Sequence, residues 1–270
     1  MMSDSSLAGV PRWMFALKMA GWHLLLSLLI AAAVAYLVFA IWYPAPLHQL
    51  TRGQGIFLIL VVVDLICGPL ITFIVSTPRK SRRERIVDLS CIALLQLAAL
   101  GYGLAAVKMA RPVIFSFEKD RLAIVTESEI DISTLSMAPE GLQKLPLWGM
   151  RKVGIRSARN EKEFFESIHL SFEGIEPSAR PGWWLEFQEV LPDLKRAMKP
   201  LAELAPLLDE QELILNRAIE HNHLSRNELY YLPLVSKHTQ DWLILLGSEG
   251  DFLGYANING FDLAEGKFNK

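Results

Sequence analysis

The sequence predicts a membrane protein with three N-terminal transmembrane α-helices, followed by an α+β domain with an antiparallel sheet outside the cytoplasm. Hydrophobic residues make up 51% of the 270 residues, and the mean hydropathy is positive. Charge is divided unevenly: residues 1–110 hold nine Lys or Arg and four Asp or Glu, whereas residues 111–270 hold eighteen and twenty-five. A basic, charge-poor part joined to an acidic, charge-rich part is typical of a membrane domain followed by a water-soluble domain. We therefore divide the chain at residue 110.

The first predicted span covers about residues 20–43. No Asp, Glu, Lys or Arg occurs between Lys18 and Arg52, and this stretch is long enough to cross roughly 30 Å of hydrocarbon. It ends in Trp42-Tyr43-Pro44, which combines aromatic residues suited to the interface with a helix stop. The alternative is a cleaved signal peptide, which would have a shorter apolar region and a small-residue cleavage site. The large residues at the end of this stretch favour an uncleaved span.

Five basic residues between the next two spans predict the orientation of the protein. These spans cover about residues 56–75 and 86–107. The loop between them, TPRKSRRER, is short and strongly basic, and such loops remain in the cytoplasm. The N-terminus then lies on the same side, while residues 44–55 and 111–270 lie outside; Lys108 and Arg111 oppose this only weakly. Contact of the loop with anionic lipids is a secondary possibility.

The outer domain is predicted to combine helices with strands. The segment VIFSFEKDRLAIV indicates a hairpin that turns at residues 118–120, and residues 131–160 show no clear period. Residues 161–172 and 184–222 have apolar residues at helical spacing, with prolines that divide the second stretch. Three final strands are expected at about 229–235, 241–247 and 252–258. Helices packed on one antiparallel sheet are the simplest architecture for this order.

Asp64 is an acidic residue near the middle of the second span, where a carboxylate is costly. One alternative is structural: a protonated or internally paired Asp64 holds the helices in register, with Gln96 of the third span as partner. A second is docking, in which Asp64 receives a polar group from another membrane helix. A third is a small transporter or channel subunit that uses Asp64. A single acid is a poor proton pathway, and three spans would have to oligomerise to enclose a path.

Glycine, proline and alanine mark further candidate contacts within the spans. Gly68-Pro69 predicts a bend in the second span, which either has no function or exposes a carbonyl group. The third span contains two pairs of small residues four positions apart, Ala99/Gly103 and Gly101/Ala105. Such pairs allow another helix to approach closely. That helix belongs either to this chain or to a partner.

The sequence gives no indication of catalysis, metal binding or nucleic-acid binding. His221 and His223 are a close pair, but on a helix they point to different faces, and no cysteine or carboxylate cluster completes a site. Motifs for hydrolase nucleophiles, phosphate loops, C-x-x-C and H-E-x-x-H are missing. No dense basic face occurs in the outer domain. We therefore predict a protein that is not an enzyme, has no cofactor and binds no nucleic acid.

The sequence resembles the type IV pilin accessory proteins, the TfpX/TfpZ-type family, over roughly residues 18–131. The matching stretches are GWHLLLSLLIAAAVAYLVFAIWYPAPL, VVVDLICGPLITFIVSTPRKSRRERIVDLSCIALLQLAALGYGL and ARPVIFSFEKDRLAIVTESEID. The features that carry the resemblance are Trp42-Tyr43-Pro44, Asp64 four residues before Gly68-Pro69, and Arg111-Pro112-Val113. The rest of the chain is similar only in general plan, including a final G-Y-x-N-I strand.

This resemblance implies a non-enzymatic chaperone of the bacterial inner membrane that keeps a type IV pilin stable before pilus assembly. The implied partners are the membrane helix of the pilin, its periplasmic head and the lipid bilayer. The outer domain would meet the head. The candidate contacts for the helix are Asp64, Gly68, Pro69, Gln96, Ala99, Gly101 and Gly103. A transporter subunit is the alternative; a signalling anchor is disfavoured because the cytoplasmic segments are short.

Overall fold

A computed structural model describes residues 11–51, 53–203, 209–221 and 225–265. The helices are α1 (Arg12–Tyr36, continued by a π-helical segment, Leu37–Trp42), α2 (Leu47–Leu50), α3 (Gly53–Val75), α4 (Arg82–Met109), α5 (Glu161–Phe172), α6 (Phe187–Ala197), α7 (Asp209–His221) and α8 (Gly260–Glu265). The strands are β1 (Pro112–Glu118), β2 (Arg121–Thr126), β3 (Arg151–Ile155), β4 (Trp184–Glu186), β5 (Lys199–Pro200), β6 (Tyr230–Ser236), β7 (Thr239–Leu246) and β8 (Phe252–Ala256).

The chain divides into two compact units. The first, called here the membrane unit, comprises Met1–Pro44 and Gly53–Met109. The second comprises Ala45–Arg52 and Ala110–Lys270 and is called the outer domain, after the side that the sequence predicts for it. The loop between the first two long helices therefore belongs to the outer domain.

Three helices of the membrane unit are long and apolar enough to cross a membrane, which confirms the predicted number of spans. These are α1 with its π-helical extension, α3 and α4. The first and third helices begin earlier than the apolar runs alone indicate, at Arg12 and Arg82. Backbone hydrogen bonding continues through the charged residues because leaving the hydrocarbon does not end a helix.

An eight-stranded sheet forms the centre of the outer domain. The strand order is β4-β3-β1-β2-β6-β7-β8, and β5 pairs with β6 outside this path. The predicted hairpin is confirmed, with Lys119 at its turn in the left-handed region (φ 57°). The helix over 161–172 and the three final strands are also confirmed.

The expectation of a purely antiparallel sheet is corrected, because two pairings are parallel. Strand β1 pairs with β3, and β2 pairs with β6, in parallel. Parallel neighbours need a long connection, and both pairs are joined by chain segments long enough to cross over. Strand β3 lies inside the region expected to be irregular. The sequence also predicts that Pro192 interrupts a helix, yet this residue lies inside α6.

Apolar side chains cover both faces of the sheet. On one face Val190 and Leu194 of α6 pack with residues of β1, β2, β6 and β7. On the other, Leu215 and Ile219 of α7 pack on alternate residues of β6 and β7. Since both faces are covered, the central strands have unbroken runs of buried residues.

Helix α2 is part of this core. Leu47 and Leu50 are buried in the same cluster as α6, and the Ser236 hydroxyl donates to the Leu50 carbonyl at 2.6 Å. The segment between the first two spans and the C-terminal domain are thus packed together in one unit. Both must lie on the same side of any membrane that the three helices cross.

Candidate partner-binding site in the membrane unit

Four polar side chains link the three spans through one hydrogen-bonded network. The Gln96 amide nitrogen donates to Asp64 Oδ1 at 3.0 Å and to the Asp64 carbonyl at 3.2 Å. Gln96 Oε1 lies 2.6 Å from His23 Nε2, and His23 Nδ1 lies 2.5 Å from Thr72 Oγ1. Since α1 supplies His23, α3 supplies Asp64 and Thr72, and α4 supplies Gln96, the network crosses the whole bundle.

The network fixes the hydrogen-bonding role of each ring nitrogen of His23. An amide oxygen only accepts hydrogen bonds, so Nε2 must carry the proton that it donates to Gln96. In a neutral ring Nδ1 then accepts the hydroxyl proton of Thr72. Each of the four side chains has a partner inside the bundle, which matters in hydrocarbon because no water replaces a missing one. Interhelical bonds of this type contribute about 0.6–2 kcal/mol each.

Gly68 provides the space that this network needs. A Cβ atom at position 68 would overlap the side-chain amide of Gln96. The next residue, Pro69, cannot donate to the Leu65 carbonyl, yet α3 continues through it to Val75. The Gly-Pro pair therefore permits close approach of α4 without ending the helix.

A cleft opens beside the network. Its volume is about 130 Å³. It is lined by the polar residues His23, Ser27, Asp64 and Gln96 and by the apolar residues Leu26, Ile30, Ala93, Leu97 and Leu100. Leu26 and Leu97 are 58% and 57% exposed, so the cleft opens at the surface of the bundle.

One oxygen of Asp64 is available in this cleft. Gln96 donates to Oδ1, whereas Oδ2 has no hydrogen-bond partner among the described residues. A carboxyl oxygen accepts hydrogen bonds, and one that faces an apolar medium without a donor is costly. The cleft therefore offers an acceptor to a donor from outside the bundle.

The small residues of α4 divide between an internal and an external role. A Cβ atom at Gly103 would overlap Leu60 of α3, so this glycine packs within the bundle. At Gly101 an added Cβ would meet nothing within 4 Å among the described residues, and Ala99 is also exposed. Gly101 lies one turn beyond Leu97 on the same helix face, so it extends the cleft along α4.

Tyr43 has a role that sequence reasoning missed. The sequence predicts an anchor for the first span at the interface, but Tyr43 is fully buried among Val38, Phe57 and Val107. Its hydroxyl donates to the Val107 carbonyl at 2.5 Å, and a Cβ atom at Gly53 would overlap its ring. The residue closes one end of the bundle.

Cations close the other end. Arg12 donates to the Ile74 carbonyl at 3.0 Å, and Lys80 donates to the Val75 carbonyl at 2.9 Å. Lys80 also pairs with Asp88 at 2.5 Å. Positive side chains at a helix C-terminus satisfy its last carbonyl groups and its dipole. The basic loop thus also stabilises the bundle.

His23 and Thr72 were likewise missed as members of the network. The available signal was that His23 is the one potentially charged residue within the first apolar run. Of the His221 and His223 pair, His223 lies outside the described residues. Among the described residues no group of three His, Cys, Asp or Glu side chains is placed to hold a metal ion.

The fold defines a class: a membrane protein with three N-terminal spans followed by one domain of helices and a mixed sheet. The chain is 33% identical over 253 residues to the fimbrial assembly protein of Dichelobacter nodosus serogroup I, covering 93% of this chain and 98% of that protein. The serogroup E1 protein of the same organism gives the same identity and coverage. The protein of serogroups C1 and C2 is 41% identical over 127 residues, which is 47% of this chain and 97% of that protein.

The sequence profile of the family described as fimbrial assembly protein FimB matches residues 11–52. The chain belongs to the fimbrial assembly protein family, which confirms the resemblance noted in its spans. No solved structure matches it.

Proposed function

We propose that this protein is an accessory protein of the bacterial inner membrane that binds a type IV pilin and stabilises it before pilus assembly. The relatives are named fimbrial assembly proteins, which supports a role in pilus biogenesis. The observation that carries the proposal is the cleft in the membrane unit, with an available Asp64 oxygen and, one turn along α4, the exposed Gly101. The role is that of a non-catalytic chaperone.

The cleft suits the membrane helix of a pilin before assembly. Such a helix is apolar, lies in the bilayer and carries a globular head outside the membrane. Leu26 and Leu97 offer apolar contact at the mouth of the cleft, and Gly101 allows close approach of a second helix. Asp64 Oδ2 then accepts a hydrogen bond from a polar group of the bound helix. Partner binding thereby satisfies a group that the bundle leaves without a donor.

The proposed orientation places the outer domain in the periplasm. The loop of five basic residues favours the cytoplasm. Packing of Leu47 and Leu50 in the core of the outer domain supports a common side for both outer segments. A pilin with its helix in the bilayer and its head in the periplasm can then be contacted at both parts.

Replacement of Asp64 tests this function. Asp64→Ala removes the acceptor, so the amount of pilin that co-purifies should fall about tenfold, since an interhelical hydrogen bond contributes about 1–2 kcal/mol and about 1.4 kcal/mol is a factor of ten. Asp88→Ala is the matched control, because it removes an acid on α4 that pairs with Lys80 away from the cleft. The amount and thermal stability of the variant protein itself are measured in parallel. Unchanged pilin recovery with Asp64→Ala would exclude Asp64 from the binding site.

A further inference from the structure

Helix α5 of the outer domain has an apolar face that the described part of the chain leaves uncovered. None of its residues is buried, and Phe165 and Phe172 are 67% and 88% exposed. Helix α6 is also amphipathic but buries Val190 and Leu194 in the core. Large apolar side chains that gather at one place on a water-exposed surface mark an interaction site.

A groove runs along this face. Its volume is about 670 Å³, and we call it the α5 groove. Its apolar lining consists of Ile155, Phe164, Ile168, Phe172, Pro177 and Trp183. Phe172 lines the groove, whereas Phe165 of the same helix face lies outside it and is also exposed. The apolar surface therefore extends beyond the groove. A protein segment fits this extended shape better than a compact small molecule does.

Polar contacts fix α5 to the domain without using its apolar residues. The Arg156 guanidinium donates to both carboxylate oxygens of Glu163, at 2.6 and 3.0 Å, and lies 4.5 Å from the Trp183 ring centre. This pairing, together with the hydrogen bond that the Arg159 backbone N–H donates to the same carboxylate, lowers the pKa of Glu163 from 4.5 to about 2. Arg180 donates to the Ser167 hydroxyl at 2.9 Å. The helix is therefore held in place while its aromatic side chains remain available.

The charge around the groove defines the chemistry of its occupant. Residues 161–176 contain five Glu and one Lys. Glu118, Glu161 and Glu176 line the α5 groove together with Lys119 and Arg156. Glu118 pairs with Arg121 and Arg156 pairs with Glu163, so Glu161 and Glu176 supply the acidic rim. An acidic rim repels the anionic headgroups of a membrane surface and attracts Lys and Arg. An apolar floor with an acidic rim thus complements an apolar segment that carries basic residues.

We propose that the α5 groove binds an apolar, Lys- or Arg-bearing segment of a partner protein. Resting on the function proposed above, this segment belongs to the globular head of the pilin. The groove then contacts the head while the cleft of the membrane unit holds the helix.

Photocrosslinking in cells that make the pilin tests this proposal. A benzophenone amino acid replaces Phe172 in the full-length protein, where high exposure leaves the core undisturbed. The matched control replaces Leu213 of α7, which is 51% exposed. A third protein carries the benzophenone at Leu97 of the cleft. Adducts are identified by mass spectrometry, and we expect pilin at positions 172 and 97 but not at 213.

Charge reversal sharpens the test. Glu161→Lys with Glu176→Lys, combined with the probe at position 172, should lower the pilin adduct about tenfold because like charges oppose docking. Replacement of the same two residues by Gln should lower it less. Equal yields in all three proteins would overturn the proposed charge complementarity.

The outcomes separate this proposal from the proposed function. Pilin captured at position 97 but not at 172 would overturn the α5 groove as its binding surface and leave pilin binding in place. Capture of lipid, or of a second copy of this chain, at position 172 would also overturn it. If neither position captures pilin, both proposals fail.

Discussion

The membrane unit and the outer domain are stabilised by different balances of contact. In the membrane unit large apolar residues such as Ile59 and Leu94 are 69% and 68% exposed, and the spans meet through glycines, a polar network and one small apolar cluster around Tyr43. In the outer domain Trp184 and the strands of the sheet are buried in apolar clusters. Transfer of an apolar side chain from water into a protein core is favourable, whereas transfer from lipid into a core gains almost nothing.

Because of this difference, an interaction surface is indicated by an unpaired polar group in the membrane unit and by exposed apolar residues in the outer domain. An exposed leucine on a span is ordinary, but an acceptor oxygen without a donor, as at Asp64, is not. In the outer domain an exposed acid is ordinary, whereas the exposed aromatic face of α5 is not. Each proposed site is thus a place where a unit departs from the pattern expected in its own surroundings.

The largest expected effect is a loss of stability when a buried side chain is removed from the core of the outer domain. Trp184 is 2% exposed, and its ring nitrogen donates to the Ser178 carbonyl at 2.9 Å. Trp184→Ala should lower the free energy of unfolding of the outer domain by about 3–5 kcal/mol, because a large cavity and an unpaired carbonyl remain. Denaturant unfolding of the full-length protein in detergent measures this. Leu94→Ala, on the lipid-facing side of α4, should change stability little; equal losses would contradict the comparison.

A smaller effect is expected from crowding the spans. Gly68→Ala places a methyl group against the Gln96 amide and should lower the stability of the bundle by about 1–3 kcal/mol. Gly101→Ala adds the same group where nothing lies within 4 Å, so stability should be preserved. Thermal unfolding in detergent compares the two variants. Equal destabilisation would show that Gly101 also packs within the bundle.

The smallest effect is a pH dependence of the attachment of α5. Because Arg156 and the Arg159 backbone N–H lower the pKa of Glu163 from 4.5 to about 2, their contacts with its carboxylate stabilise the attached helix above pH 4.5. This contribution is lost as the pH falls towards 2, where the carboxylate becomes protonated. Hydrogen exchange of α5 amides, corrected for the intrinsic effect of pH, should show decreasing protection over this range. Glu163→Gln should remove the dependence, and a persistent dependence in this variant would assign it to another group.

The spans could be predicted from sequence because uninterrupted apolar runs of this length rarely form anything except membrane helices. The pairing of Asp64 with Gln96 was among the alternatives, since both are polar residues in neighbouring spans. Thr72 escaped notice because a single threonine is common in an apolar run, and the signal given by His23 inside the first run was not used. The sequence does not show which helix faces another, so the different roles of Gly101 and Gly103 required the structure.

The outer domain was predictable where its contacts are local. The hairpin of β1 and β2 and the meander from β6 to β8 join neighbouring segments, and their turns are visible in the sequence. The parallel pairings of β1 with β3 and of β2 with β6 depend on distant segments and leave no local pattern. The period of α5 predicted an amphipathic helix. It did not reveal that the apolar face would remain uncovered.

Binding of the pilin helix in the cleft is tested most directly by photocrosslinking from two positions at similar depth on α4. Leu97 lines the cleft, whereas Leu95 is 65% exposed and lies about 200° away around the helix. We expect a benzophenone at position 97 to capture the pilin helix and one at position 95 to capture lipid. Pilin captured equally at both positions, or only at position 95, would contradict a specific site in the cleft.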